Sequence, residues 1–451
     1  MRKHVDSIDP DFWLTLGRTE RWSREKLVAL QNRRLRRLVE HAYAHSPYYR
    51  ELYQDHGIDP NNIRTIDDLP SLPVPDRDAF RQDIGHFLRP GIDPGSLRDV
   101  RTSSTSGHVL TLPSASRELR FEEALCAVDY HQRGVRPWDV IARIKLPAAI
   151  PAKKRLCQRF GLLRREYLDV RAPPTEKVAW LRRLKPRLLM GWASILEEVC
   201  TELERTDSIL PIPMVFSSAE TLRGALRKRI EECFHARALN IYASAETGIV
   251  AWEIPGDRGL RVKSDVLIVE AVDDDGKPCS RGNILCTVLW RKTVPLIRYP
   301  LGDVIEWAEP RCIGNNPHPV IGKLHGRDTS VITLPSGRVM SELAVDGIFS
   351  HFSGIHRYQF IQRDAQSFLA KVVPGQAYSE AEIKALVARM LERWQDIRID
   401  VETTNEIYQP QEAKFTPFIS LQRLAQLRRQ GISTETILGS EARGTGLTEP
   451  H

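Results

Sequence analysis

The stretch TSSTSG at residues 102–107 places five hydroxyl side chains directly before a glycine. Small residues let backbone N–H groups approach phosphate oxygens, and the hydroxyls add further donors. The pattern is not a G-x-x-x-x-G-K-[ST] loop, because His108 follows the single glycine. This row is therefore either a phosphate-binding loop of another type or a polar surface turn, and its residues are Thr102, Ser103, Ser104, Thr105, Ser106 and Gly107.

The composition indicates a soluble, multidomain enzyme rather than a nucleic-acid-binding protein. The 451 residues exceed one ordinary core, and 41% apolar with 27% charged residues is typical of globular enzymes. A net charge of +7 permits an acidic ligand such as a nucleotide without requiring nucleic acid. The arginine run at 33–37 is interleaved with apolar residues, which favours the solvated face of a helix.

The sequence predicts a cytoplasmic protein that does not insert into a membrane. The N-terminus lacks the apolar region of a signal peptide, and no apolar run reaches about 18 residues. The seven cysteines are scattered without a C-x-x-C pair, which favours reduced thiols.

Hydrophobic periodicity predicts the helices and strands that must position these candidate residues. Helices are predicted over 24–56 and 115–133, and VIARIKL at 140–146 reads as a strand. Strands at 213–218 and 238–244 flank a further helix, which predicts a β-α-β unit. Its parallel strands would gather their loops at their carboxyl ends, where ligands bind in such sheets.

The fold class predicted is α/β, with a large multilayer N-terminal domain and a small α+β C-terminal domain. A strand-turn-strand pattern covers 260–290, and a junction is predicted near 326. Beyond it lie short strands and an amphipathic helix at 379–395. We expect domains at 1–326 and 327–435, and a disordered, polar tail at 436–451.

Several segments resemble motifs of the adenylate-forming enzymes, and within them of the branch of phenylacetate–CoA ligase and coenzyme F390 synthetase, which includes capsule-biosynthesis (CapK-like) proteins. The hydroxyl row is similar to the T-S-G-S-T-G phosphate loop of that family. The other similar segments, in the family's order, are HAYAHSPYYREL (41–52), SSAETL (217–222), YASAETG (242–248), PLIRYPLGD (295–303), GRD (326–328) and AKFTPFIS (413–420). The resemblance spans about 380 residues and implies an AMP-binding adenylation domain followed by a mobile C-terminal lid.

The resemblance implies roles for individual residues. Asp303 would accept the ribose hydroxyls, and Glu246 would hold Mg²⁺, which prefers carboxylate oxygen. A turn aspartate and a salt-bridge glutamate are the structural alternatives. The remaining ATP- and AMP-binding positions are the hydroxyl row together with Ser218, Ala219, Glu220, Tyr242, Ala243, Ser244 and Ala245.

The catalytic cation is also expected from the resemblance. Lys414 would compensate the charge that develops during adenylation, and Arg327 would contact the nucleotide through its guanidinium. A solvated lysine and a linker salt bridge are the alternatives. Asp328 and Thr329 would form the hinge about which the lid turns between the two half-reactions.

The sequence departs from the family pattern at several positions. Ser104, Ala243 and Ala413 stand where relatives have glycine, and Ala245 replaces a threonine. The hinge acid Asp328 lies one place early. The segment AWEIPGDRGLRV at 251–262 contains neither Cys nor His, so we expect no zinc.

Three function classes are weighed. The first is ATP-dependent activation of a carboxylic acid, with aryl or arylacetic acids favoured, followed by transfer to coenzyme A or to a different acceptor. The second is a non-catalytic nucleotide-binding homologue, and the third, nucleic-acid binding, rests only on the mild charge. The acid pocket is expected from 130–150, 190–196 and 215–250, where Trp192 either lines the pocket or is buried core. We expect a small-molecule acid as partner and a monomer or homodimer.

Overall fold

The computed structural model describes most of the chain. The described residues are 8–101, 110–147, 150–151, 156–220, 222, 224–253, 259–327, 331–341, 345, 348–349, 352, 354–375, 378–405, 407, 415–429, 432–433 and 437–438. They divide into two compact units. The larger holds the described residues up to 324 apart from 224–228, and the smaller holds the others.

Helices and strands alternate through the middle of the chain. The described α-helices are α1 (Pro10–Thr15), α2 (Arg24–His45), α3 (Pro47–Asp55), α4 (Ala79–Gln82), α5 (Ser116–Gln132), α6 (Leu156–Arg159), α7 (Pro174–Leu184), α8 (Ala193–Arg205), α9 (Gly224–Phe234), α10 (Glu380–Arg393) and α11 (Leu421–Arg429). Short 3-10 helices lie at Thr19–Arg21, Pro60–Asn62, Ile66–Ser71, Ile84–Phe87 and Pro94–Ser96. None of the helices in the described ranges is long and apolar enough to cross a bilayer.

The described strands are β1 (Arg98–Arg101), β2 (Thr111–Ser114), β3 (Ile141–Lys145), β4 (Arg165–Asp169), β5 (Leu188–Gly191), β6 (Met214–Ser218), β7 (Arg237–Ser244), β8 (Gly248–Glu253), β9 (Leu260–Val262), β10 (Leu267–Val272), β11 (Arg281–Val288), β12 (Tyr299–Trp307), β13 (Val320–Arg327), β14 (Val331–Thr333), β15 (Val339–Ser341), β16 (Ile355–Gln362), β17 (Ser367–Pro374), β18 (Arg398–Thr403) and β19 (Phe418–Ile419). The α/β fold class predicted from the sequence is confirmed.

The helix predicted over 24–56 is wrong in one respect, because the segment forms two helices. α2 begins after Ser23, whose hydroxyl accepts from the backbone of Lys26, as expected of a helix N-cap. Ser46 is extended, and Pro47 opens α3 at a position where its missing N–H costs nothing. The proline therefore ends one helix and starts the next.

An eleven-stranded sheet forms the centre of the larger unit. Its order is β10-β11-β12-β13-β9-β8-β7-β6-β5-β3-β4. β3 to β7 run parallel, and β7 turns back into antiparallel β8. The predicted β-α-β unit is confirmed, since β6 and β7 are parallel neighbours joined through α9.

Helix α5 lies over the parallel strands, and its side chains pack against β6 and β8. Its buried Tyr130 packs with Phe216 of β6 and Trp252 of β8 in one apolar cluster. Each such ring contributes roughly 1.5–3 kcal/mol by leaving water. Trp252 also donates to the buried Asp129 of the same helix at 3.1 Å, which fixes the helix against the sheet.

The smaller unit has its own sheet and core. Its four-stranded sheet has the order β18-β17-β16-β19. The predicted helix over 379–395 is confirmed as α10, which Ser379 caps by accepting from Glu382. Trp394 and Phe360 lie in this unit's core and are almost fully buried.

Candidate active site

Two of the predicted segments meet at the carboxyl edge of the parallel strands. Ser218 ends β6 and pairs with Ile241 of β7, so the residues after both strands emerge on the same side. β7 continues through Tyr242 to Ser244 and then reverses into β8. The reversal is stabilised by the Ser244 hydroxyl, which accepts from the Thr247 backbone at 3.1 Å. Glu246 lies in this turn, and only 5% of its surface is exposed.

A hydrogen bond joins two motifs that lie sixty-one residues apart. The Tyr242 hydroxyl donates to Oδ2 of Asp303, on β12, at 2.6 Å. Burial and then the charge of Asp303 raise the pKa of Tyr242 well above its ordinary value, so the phenol keeps its proton and remains a donor. The structure thus brings together Tyr242 and Asp303, both predicted to contact the nucleotide.

Glu246 faces an arginine that the sequence reasoning missed. Nη2 of Arg77 lies 3.4 Å from Oε1 of Glu246. Within the described part of the chain, no other Lys, Arg or His nitrogen lies within 4.0 Å of that carboxylate. Arg77 precedes α4 in a loop rich in Pro and Asp, and no motif marks it.

The turn that carries Glu246 is also held through its backbone. Arg291 donates to the Glu246 carbonyl at 2.9 Å and to the hydroxyl of Ser114. Arg291 is itself almost fully buried. The position of Glu246 is therefore set by two arginines, one at its carboxylate and one at its carbonyl.

A glycine before Asp303 makes room for Arg77. Gly302 has a φ of 83°, which favours glycine because it lacks a Cβ. A Cβ built there would lie only 3.0 Å from Nη1 of Arg77. This glycine therefore permits both the local backbone conformation and the approach of the arginine to the site.

The segment after β6 serves the neighbouring helix. Glu220 accepts from the backbone of Ser194 at 2.7 Å and from its hydroxyl at 3.0 Å, at the N-terminus of α8. A carboxylate there satisfies free N–H groups and the helix dipole. Ala219 has a φ of 71°, a strained conformation for a residue with a Cβ. Contacts of Ser218, Ala219 and Glu220 with a nucleotide remain a prediction.

The remaining turn residues are small. Ala243 is half-buried and packs against the apolar cluster beneath the turn, and Ala245 is half-buried as well. Neither side chain offers a polar atom, so any contact they make with a phosphate would come from the backbone. The hydroxyls available in this turn are those of Ser244 and Thr247, which lie 2.9 Å apart.

Several predicted residues fall outside the described part of the chain. They are Thr102, Ser103, Ser104, Thr105, Ser106, Gly107, Asp328, Thr329 and Lys414. Arg327 ends β13, and its side chain is likewise not described. The phosphate loop, the hinge and the catalytic cation therefore stay predictions.

The described site offers two carboxylates whose chemistry suits a cation and hydroxyl donors. Carboxylate oxygen suits Mg²⁺, and Glu246 presents a buried carboxylate with a single long contact to Arg77, so it fits the predicted metal. No group of three or more His, Cys, Asp or Glu side chains that could hold a metal ion was found in the residues that the structure covers. Asp303, oriented by Tyr242, offers carboxylate oxygens to hydroxyl donors.

Comparison with known proteins gives related sequences and a shared fold. No model of a known protein family matches the sequence. The phenylacetate–coenzyme A ligase of Thermus thermophilus is 25% identical over 324 residues, which cover 69% of this chain and 72% of that protein. Protein CapK of Staphylococcus aureus is 20% identical over 367 residues, covering 77% and 78%.

Solved structures with the same fold include a 2-hydroxyisobutyryl-CoA ligase in complex with an acyl-AMP. It matches with a TM-score of 0.76 at 18% identity over 92% of this chain and 94% of that one. An anthranilate–CoA ligase in complex with anthranoyl-AMP matches with a TM-score of 0.54 at 16% identity, over 74% and 67%. In sequence the chain is therefore similar to the phenylacetate–coenzyme A ligases and to CapK, and it shares its fold with ligases solved in complex with an acyl-AMP.

Proposed function

We propose that this chain is an adenylate-forming ligase that activates a carboxylic acid with ATP. The observation that carries the proposal is the convergence of Tyr242, Asp303 and Glu246 at one edge of the sheet, with Asp303 oriented by a 2.6 Å hydrogen bond. These are residues that the family resemblance assigns to the nucleotide and its metal. Two of the related sequences are named phenylacetate–coenzyme A ligases.

The reaction requires electrostatic stabilisation rather than a general base. A carboxylic acid is already ionised near neutral pH, so its oxygen can attack the α-phosphorus of ATP while pyrophosphate leaves. The protein must bring two anions together and stabilise the charge that grows on the phosphate oxygens. Asp303 would anchor the ribose, and Arg77 lies beside Glu246 as a fixed positive charge.

Glu246 is proposed to hold Mg²⁺. When bound, that ion would neutralise phosphate charge. Burial of Glu246 at 5% exposure and the Arg291 bond to its carbonyl keep the carboxylate in one place. We propose no zinc for this chain, because residues 251–262 contain neither Cys nor His.

The rest of the machinery is proposed from the resemblance. The hydroxyl row at 102–107 would cradle the phosphates, and Lys414 with Arg327 would bring the catalytic charge. We propose a domain boundary at 326/327 and a hinge at Asp328 and Thr329, so that the C-terminal domain turns between the two half-reactions. We expect a cytoplasmic enzyme, as a monomer or homodimer, because ATP and coenzyme A are found there.

Two acceptors are considered for the second half-reaction. Transfer to coenzyme A is proposed first, because four related sequences are named phenylacetate–coenzyme A ligases. Similarity to CapK over 77% of the chain favours a different acceptor as the second candidate. Coenzyme A consumption during acid-dependent ATP turnover distinguishes the two, since a non-CoA ligase would exchange pyrophosphate without using the thiol.

ATP–pyrophosphate exchange with a panel of acids tests the proposal. We expect acid-dependent exchange by the wild type and a loss of about a hundredfold in Asp303→Asn and Glu246→Gln, roughly 3 kcal/mol of transition-state stabilisation. Asp275→Asn is the matched control, because that carboxylate is 79% exposed. ATP binding without exchange for any acid would instead support a non-catalytic homologue built on this fold.

A further inference from the structure

Strand β3 carries two cations on one face, Arg143 in its middle and Lys145 at its carboxyl end. They are two residues apart, so both point to the same side of the sheet, where they interact with side chains of α5. On the neighbouring strand β4, Arg165 is level with Ile141 and faces the same side, at the start of both strands. Arg143, Lys145 and Arg165 are called the β3 basic cluster below.

Helix α5 supplies little negative charge to this cluster. Glu122 and Cys126, four residues apart, share the helix face that interacts with Lys145. Burial raises the pKa of Glu122, although Arg291 and Lys145 oppose the rise. This carboxylate is therefore a weak counter-ion for Lys145, and it also interacts with Arg291 and Arg143.

The other nearby carboxylate is already used. Asp169 pairs with Lys145 across β3 and β4, yet its oxygen lies 2.8 Å from Arg171. None of the described carboxylates lies within 4.0 Å of Lys145 or of Arg143 in an ion pair. Arg143 instead hydrogen-bonds the Tyr167 side chain.

Two nitrogen atoms of the cluster are buried without a partner. The Nε atoms of Arg143 and Arg165 are shielded from solvent and make no hydrogen bond to the part of the chain that the structure describes. A shielded donor with no acceptor costs free energy, and adjacent like charges add to that cost. In agreement, the charge of Arg143 and then burial lower the pKa of Lys145 to about 7.

The cluster adjoins the candidate active site. A Cβ built on Gly248, which begins β8 directly after the turn that carries Glu246, would lie 3.1 Å from Oε1 of Glu122. In the sheet, Arg143 is level with Met190 of β5, which is level with Phe216 of β6. The end of β3 is therefore close to the level at which β6 ends.

The direction of the chain along the strand order reverses at the same point. β3 lies between β4 and β5, so the chain leaves β3 in one direction and leaves β5 in the other. Ligands in open parallel sheets bind at such a reversal, outside the carboxyl ends of the two strands. Lys145 ends β3, and the half-buried Trp192 follows directly after β5.

We infer that the β3 basic cluster binds a second anionic group of the acid, so the substrate is a carboxylic acid that also bears a carboxylate, sulfonate or phosphate. The inference rests on the proposed function, which places the acid at this edge. An anion would accept from the unpartnered guanidinium donors and would offset the crowded positive charge. An unsubstituted aryl ring would neither accept these hydrogen bonds nor offset the charge, and it would contact only Trp192.

Three pairs of acids that differ in the second anionic group test this inference. They are benzoate with para-sulfobenzoate, phenylacetate with para-carboxyphenylacetate, and pentanoate with glutarate. Binding of each to the full chain, saturated with a non-hydrolysable ATP analogue, is measured by titration calorimetry. We expect the member with the second anionic group to bind about tenfold more tightly or better than its singly charged partner in at least one pair.

Variants assign that preference to the cluster. In Lys145→Met the preference should fall to within about threefold, while Lys145→Arg, which keeps the charge, should retain it. Lys277→Met is the control, since that lysine is 75% exposed. Equal loss of both members of a pair in Lys145→Met would overturn the inference, because the lysine would then act on the carboxylate that both acids share.

Parallel exchange assays separate the two ways of failing. Exchange with the singly charged acids, together with no binding preference in any pair, would overturn the inference and leave the ligase function standing. A binding preference that Lys145→Met abolishes, with no exchange for any acid, would uphold the anion site and contradict the ligase function. Absence of measurable binding by every acid that carries a second anionic group would also overturn the inference.

Discussion

Replacing Gly302 with alanine should reduce adenylation through Arg77. Gly302 has a φ of 83°, and its new methyl would lie 3.0 Å from Nη1 of Arg77. The guanidinium would have to move, and its other nitrogen is the one that lies 3.4 Å from Glu246. A charge-assisted contact at that length is worth about 1.5 kcal/mol, so we expect acid-dependent ATP–pyrophosphate exchange to fall roughly tenfold in kcat/KM.

Gly314→Ala separates this effect from backbone strain. Gly314 has a φ of 64°, and nothing lies within 4 Å of the position of its Cβ. Both variants should lose about 1–2 kcal/mol of unfolding free energy, measured in urea, because a side chain is strained at positive φ. Only Gly302→Ala should lose exchange activity.

A double-mutant cycle with Arg77→Met completes the test. If the methyl acts by displacing Arg77, adding Gly302→Ala to Arg77→Met should cost no further activity. Unchanged exchange in Gly302→Ala, alongside the same loss of stability as Gly314→Ala, would refute the assigned role of Arg77. A further tenfold loss in the double variant would place the effect at Asp303 instead.

Four other predictions concern single residues. Tyr242→Phe should raise the KM for ATP about tenfold because Asp303 loses its 2.6 Å donor, and an unchanged KM in steady-state exchange would contradict this role. Ala219→Gly should raise the unfolding free energy by about 1 kcal/mol by relieving its φ of 71°, and a loss in a urea titration would contradict the strain. Lys145 is charged below its pKa of about 7, so the preference for acids with a second anionic group should weaken as the pH rises through that value, and Lys145→Met should remove this pH dependence. Because that folded-state pKa lies below the ordinary 10.5, the same lysine should make the free energy of unfolding rise with pH between the two values.

The sequence alone was sufficient to predict the parallel strands β6 and β7 and the helix that connects them. Apolar, β-branched runs predicted the strands that became β6 and β7, and the helix between them followed from periodicity. The helix over 24–56 was predicted as one element because its apolar spacing continues through Pro47. Periodicity reports burial on one side, and both α2 and α3 bury that side, so the break was visible only in the proline itself.

The residues of the site were predictable from the sequence only where they belong to a recognisable motif. Tyr242, Asp303 and Glu246 were named from the resemblance, and the structure brings them together. Arg77 was not named, because its role depends on a contact across 169 residues and its loop has no pattern of its own.

The β3 basic cluster was also visible in the sequence but was not recognised. VIARIKL was read as a strand from its β-branched residues, and its two basic residues were passed over. Alternation places Arg143 and Lys145 on one face, but which face α5 covers depends on the sheet order. Tertiary structure was needed to show that these cations face a helix rather than solvent.

Direct detection of an acyl-adenylate is the measurement that tests the central claim most closely. The purified chain would be incubated with ATP, Mg²⁺ and the acid panel without coenzyme A, quenched in acid, and examined by mass spectrometry. The account predicts an acyl-AMP with at least one acid in the wild type and in Asp275→Asn, and its loss in Asp303→Asn. Acyl-AMP formation by Asp303→Asn at the wild-type rate would contradict the proposed adenylation. Absence of acyl-AMP with every acid in the wild type would contradict it as well.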